Sequence, residues 1–201
     1  MIKLPDITIV CVDCINYNQA KNALLKSIQH IEFGGIEFFS DIHIDGISTT
    51  IIDKINSKES YSEFIFKKLN NYIQTDFVLV IQFDGYVINP NSWNNEFLNY
   101  DYIGAKWWYN DNMNVGNGGF SLRSKRLLQE LSNSEYDQIH PEDHAICRLY
   151  GETLVDKGFK FATNEIADKF SFEYNAGNLD FKNNTFGFHG IPNLVLNQGV
   201  F

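Results

Sequence analysis

Basic residues are scarce in this chain: 16 Lys and Arg stand against 25 Asp and Glu, a formal net charge of −9. That argues against a nucleic-acid backbone as partner, because phosphate contacts need clustered Lys and Arg. A nucleotide ligand remains open, since a bound divalent cation can supply positive charge at one spot. Cysteine is scarce too, and Cys11, Cys14 and Cys147 cannot build a disulfide framework. The spacing Cys11-Val-Asp-Cys14 is that of a redox pair, but it lies on and just past the first apolar run and reads as buried or half-buried thiols. No apolar run approaches the about 18 residues a membrane span needs, and Met1–Pro5 carries no extended signal core. A soluble, cytoplasmic location is the expectation. A G-x-G-x-x-G fingerprint, an internal repeat and a linker are all missing. The 5 scattered histidines fall short of what a metal-dependent phosphoesterase would cluster.

What is present is apolar and aromatic. The 201 residues are 44% hydrophobic, with 17 Phe and 10 Tyr, enough for one core and for rings that line a cleft. Ile7–Val12 reads as a strand, Asn18–Ile31 as a helix stopped by Gly34-Gly35, and Ile36–Phe39 as a second strand. Thr49–Ile52 is a further strand candidate, and Ser60–Ile73 an amphipathic helix. Phe77 then opens a strand that runs to Asp84. Alternating β and α units predict an α/β domain with a mostly parallel central sheet. Beyond Trp93, Tyr100–Trp108 reads as a strand and its exit, and Tyr109–Asn117 as a polar, mobile loop. A short strand follows to Arg123, with Ser124 capping a helix that carries Leu127, Leu128 and Leu131. Pro141–Lys157 is predicted helical with Leu149 and Tyr150 inward, Phe159–Ala162 a strand, and the tail from Asn175 loop-like.

Four places carry candidate chemistry. Asp84 ends an apolar strand, where α/β proteins handle metals and phosphates, although Asp before Gly85 also simply starts turns. Gly118 and Gly119 precede a strand and would let a ligand approach the backbone, or form a bulge with no ligand. Glu142 and Asp143 could activate a hydroxyl, although acids in a first helical turn are favoured by the helix dipole alone. His189, between an aromatic and a glycine, is either a structural residue or a ligand that would pair with Asp84 around a cation.

The run Ile81–Trp93, the stretch Asp101–Ala105, the segment Gly116–Ser124, the triplet Pro141–Asp143 and the late Thr185–Gly190 occur in that order. Together they resemble an uncharacterised-domain family of bacterial surface-polysaccharide and glycosylation loci, which is itself similar to the GT-A-fold glycosyltransferases. The resemblance implies a single Rossmann-like domain over residues 1–201, with a nucleotide-binding half to about residue 92 and an acceptor half from about 93. It implies transfer of a sugar from a nucleotide-sugar donor, a UDP-sugar by expectation, to a glycan, lipid-linked sugar or other hydroxyl acceptor, with inversion. In such enzymes a D-x-D motif holds Mn²⁺ or Mg²⁺; Asp84 matches its second acid, Gln82 replaces its first, and His189 matches the closing ligand. Val12 and Asp13 would touch the nucleoside, and Gly118 and Gly119 would flank the donor sugar and acceptor. Asp143 would be the base, Glu142 would bind a sugar hydroxyl, and Trp107 or Trp108 would stack on the acceptor. The rival readings are a non-catalytic nucleotide-sugar or glycan-binding module of the same fold, and an interaction protein using its aromatic surface.

Overall fold

The computed structural model describes residues 1–109, 111, 113–173 and 184–198, with side chains through residue 195. Six strands form the central sheet, β1 (Ile2–Val12), β2 (Ile31–Ser40), β3 (Thr49–Ile51), β4 (Phe77–Ile81), β5 (Tyr102–Ile103) and β6 (Phe120–Ser124). Their order is β3-β2-β1-β4-β6-β5. β1 to β4 are mutually parallel, and β6 runs antiparallel to both β4 and β5. The predicted mostly parallel α/β sheet is what the chain forms.

Both faces of the sheet are covered, which is why β4 and the Ile9–Val12 end of β1 are apolar throughout instead of alternating. On one face Ile7, Ile9 and Cys11 pack with Ala20, Ala23 and Leu24 of α1 (Tyr17–Ile28) and with Ile166, Ala167 and Phe170 of α6 (Asn164–Phe170). On the other, Val10, Val12 and Val80 meet Phe64, Ile65 and Leu69, which continue α2 (Lys58–Glu63). That helix is a composite: its α turn gives way to a π turn over Phe64–Lys68 and a 3₁₀ turn over Leu69–Asn71. A third cluster of Phe66, Tyr102, Leu131, Ile146 and Leu154 lies under the second half.

Several boundaries differ from the sequence reading. Gly34 and Gly35 do not stop α1; they lie inside β2, and a Cβ at Gly34 would come within 1.8 Å of the Pro5 carbonyl oxygen. Pro5 sits where the β1–β2 register shifts between Leu4 and Thr8, so glycine is required there to let the two backbones close at the irregularity. Strand β4 ends at Ile81, three residues short of Asp84. Tyr100–Trp108 is strand only at Tyr102–Ile103, and Phe159–Ala162 contributes one bridge, Phe161 to Tyr102. The helix expected over 141–157 is three pieces, α4 (Glu142–His144), a π turn (Ala145–Leu149) and α5 (Gly151–Asp156). The π turn rotates the inward face, and Leu149 is left 48% exposed. Ser124 does cap α3 (Lys125–Leu131), accepting the Leu127 N–H at 3.1 Å.

The loop-like tail predicted from Asn175 falls on residues outside the described set as far as 183. After it, Ile191–Gln198 forms a helix, α7, where a loop was expected. Gly190, at φ 103°, turns the chain, and Pro192 pre-sets the helical φ in its first turn. A two-stranded parallel ribbon of β7 (Ser171–Phe172) and β8 (Gly187–Phe188) completes the fold beside the main sheet. Among the described residues no helix is long and apolar enough to cross a membrane.

Candidate functional site

A cleft of about 550 Å³ opens beyond the carboxyl ends of β1 and β4. This is where open α/β sheets place their ligands. Val12, Asp13, Gln82, Gly118, Gly119, His189, Trp107, Glu142 and Asp143 all line it. The sequence-selected residues therefore converge, with one qualification. Asp84 does not line the cleft itself; it is buried, and its Oδ1 lies 3.3 Å from His189 Nε2. The cleft-facing member of the motif is Gln82, whose Oε1 is 3.2 Å from the same nitrogen.

Both glycines line the cleft, and the protein's own side chains also close on them. A Cβ at Gly118 would come within 2.0 Å of Glu142 Oε1, and one at Gly119 within 2.1 Å of His189 Nε2. Gly118 also donates its N–H to Asp143 Oδ2 at 3.2 Å. The pair is thus the joint at which the base candidates and the imidazole close on the end of β6. Asn117, in the left-handed region at φ 62°, makes the turn before them and accepts the Gly119 N–H through its Oδ1 at 3.0 Å.

Electrostatics divide the site in two. On the His189 side, burial opposes the imidazolium, but the Asp84 and Glu173 carboxylates outweigh it and raise the pKa from 6.5 to about 9. On the other side, Arg123 is wholly buried, and its Nη2 donates to Glu142 Oε1 at 2.8 Å. Burial still holds the Glu142 carboxyl above its usual range, with Arg123 opposing. One oxygen of Glu142 is therefore committed to Arg123, which narrows the sugar-hydroxyl role implied for it. Asp13 is similarly engaged, its Oδ1 accepting the N–H groups of Ile15 and Asn16 at 2.7 and 2.5 Å. Trp107 lines the cleft with its ring over Gly116, whereas Trp108 is 69% exposed and lies outside it. Cys11, Cys14 and Cys147 are free and buried, and burial raises each thiol, which removes the redox reading of the Cys11–Cys14 spacing.

The residues around His189 fit a divalent cation. Asp84 Oδ1 is buried and makes no well-formed hydrogen bond; it faces His189 Nε2 at 3.3 Å. Adjacent ligands of an octahedral ion stand about 3 Å apart, and Nε2 lies 3.2 and 3.3 Å from Gln82 Oε1 and Asp84 Oδ1. Among the described residues no three His, Cys, Asp or Glu side chains could hold a metal by themselves. An ion there would meet one carboxylate, one imidazole and an amide oxygen.

Sequence reasoning missed Glu173, Arg123 and Lys58, and took from the Asn117–Ser121 segment only its glycines. Glu173 and Lys58 line the cleft, and Asn117 and Arg123 brace it. Each stands in an unremarkable local context, and only pairing across the fold brings them in.

A family model described as a protein of unknown function, DUF5672, matches residues 46–189, well over half of the chain. The chain belongs to this family. No curated protein matches it. Among solved structures, a glycosyltransferase involved in the glycosylation of the major capsid of PBCV-1 superposes with a TM-score of 0.60 at 11% identity, over 97% of this chain and 99% of its own. The apo-form glycosyltransferase GlyE of Streptococcus pneumoniae TIGR4 gives 0.52 at 13% identity, over 92% of this chain and 54% of its own. The mannosyltransferase PcManGT of Pyrobaculum calidifontis, solved in complex with GDP-Man and Mn²⁺, gives 0.51 at 10% identity, over 80% and 56%. The chain thus spans about half the length of the last two. At these identities the likeness establishes the fold, which is that of the GT-A glycosyltransferases.

Proposed function

We propose that this chain is a glycosyltransferase that moves a sugar from a nucleotide-sugar donor to a hydroxyl of a glycan or lipid-linked acceptor. One observation carries the reading: Asp84 and His189, far apart in sequence, meet at 3.3 Å beside a cleft that Asp143 also lines. A donor would lie with its nucleoside against Val12 and Asp13, its diphosphate over Gln82 and His189, and its sugar at Gly118 and Gly119. Mn²⁺ or Mg²⁺ held by Asp84, His189 and Gln82 would supply positive charge to the departing diphosphate. Trp107 offers a flat face for an acceptor ring. Asp143, anchored by the Gly118 N–H, would take the acceptor proton opposite the leaving group, which gives inversion.

A panel of nucleotide-sugars, UDP-sugars first, tested by thermal shift with and without Mn²⁺ should reveal the donor as a rise in melting temperature. With that donor and a matched acceptor, Asp143→Asn should lower transfer by about 10²–10⁴-fold while leaving donor binding and melting unchanged. Transfer at the wild-type rate in that variant would remove Asp143 from the mechanism. Gln82 in place of an acid supports the second reading, a binding module of the same fold. Donor binding with no release of nucleotide in the presence of any acceptor would favour it.

A further inference from the structure

We propose that Glu173 is a positioning residue that holds a proton on Nδ1 of His189 and so keeps Nε2 open toward Asp84 and Gln82 for a divalent cation. The inference rests on the cation site of the proposed function and goes beyond it by naming the group that shapes the site.

The fold builds this contact from two strands. β7 and β8 run parallel in the register Phe172–Phe188, so the residues that follow them, Glu173 and His189, emerge side by side. Asn193, buried at the start of α7, donates its Nδ2 at 2.7 Å to the main-chain carbonyls of both. The side chains then meet, with Glu173 Oε1 3.2 Å from His189 Nδ1, at side-chain exposures of 13% and 16%.

Nδ1 has a second neighbour of opposite demand. Asn117 Nδ2, a donor, stands 3.0 Å away, and it cannot flip, because Asn117 Oδ1 accepts the N–H groups of Gly119 and Phe120. A cation displaces the imidazolium's second proton, and the neutral ring that remains has two arrangements. With the proton on Nε2, the ring would donate to Gln82 or Asp84 and accept from Asn117. Glu173 would then lose the donor to its Oε1, while its Oε2 is already buried without a partner. A carboxylate enclosed with no donor is costly, more so than an amide hydrogen left unpaired. With the proton on Nδ1, Glu173 keeps a charge-assisted hydrogen bond. The Nε2 lone pair then faces Asp84 Oδ1 and Gln82 Oε1, a convergence of acceptors that a cation resolves. A ligating histidine is commonly fixed in this way by a carboxylate on its other nitrogen.

The test measures Mn²⁺ binding to the full chain by titration calorimetry, with no donor or acceptor present. Glu173→Ala should weaken Mn²⁺ by about 10–100-fold. Glu173→Gln, which keeps an acceptor oxygen in place, should recover most of that loss, and a melting curve for each variant checks folding. In Mg²⁺-saturated protein, ¹⁵N spectra of the His189 ring should show Nδ1 protonated in the wild type and not in Glu173→Ala. If Glu173→Ala binds Mn²⁺ within twofold of wild type, while Asp84→Asn and His189→Ala lose it, this inference is wrong and the cation site stands. If the wild type binds no Mn²⁺, the inference falls as well, and transfer measured in chelator then decides the glycosyltransferase reading separately.

Discussion

The two halves of the molecule place their side chains by different means. In the first half, β1, β2 and β4 run parallel with α1 and α2 laid across them, and almost every buried position follows from the local period. In the second, the described elements are two to seven residues long as far as β8, and the site rests on contacts across long sequence separations. Arg123 reaches Glu142, Gly119 admits His189, and Asn193 ties Glu173 to His189. The scaffold is periodic and redundant, while the chemistry sits in a region where single contacts hold the geometry.

Arg123→Ala should produce the largest effect and give the hardest test of that contrast. It strands the Glu142 carboxylate in the core and should cost about 3–5 kcal/mol of unfolding free energy by urea titration. Replacing both residues with Met should restore most of it, because the pair is removed without leaving a charge behind. If the single variant costs less than 1 kcal/mol, then the second half is as redundant as the first.

Next in size is a pH effect confined to His189. Its folded pKa is raised from 6.5 to about 9, so the folded state binds the proton more tightly than the unfolded chain does. In chelator, the resulting stability is fully present below pH 6.5 and is lost as pH rises through about 9. It is on the order of 3 kcal/mol. Thermal melts of the wild type should fall across that window, and His189→Gln should flatten the curve. An unchanged slope in the variant would place the titrating group elsewhere.

Gly119→Ala should have the smallest effect on stability and a visible effect on binding. The new methyl would overlap the His189 ring, with Nε2 2.1 Å away, so the ring must shift off Asn117 and Glu173, a smaller cost than stranding a buried charge. Mn²⁺ affinity should fall by about tenfold, the mark of a ligand pushed off its position. Unaltered affinity would mean that His189 does not need its seat against the glycine.

The halves were also unequally legible. The parallel sheet, α1 and α2 announced themselves through apolar runs and helical spacing, and Ser124 through its capping position. Gly34 misled, because a glycine that stops a helix and one that lets two strands close look alike until Pro5 is seen opposite it. Gly118 and Gly119 were noticed for close approach, and the structure adds two visitors from the protein itself, Glu142 and His189. Glu173 gave no signal, since its meaning comes entirely from the strand beside it.

By itself the sequence determined the mostly parallel sheet and the candidate residues Asp84, Asp143 and His189, because burial and local backbone preference are written in periodicity and residue type. Only the tertiary structure decided which oxygen faces which nitrogen. Those distances depend on where strands far apart in the chain come to lie, and local pattern does not encode that.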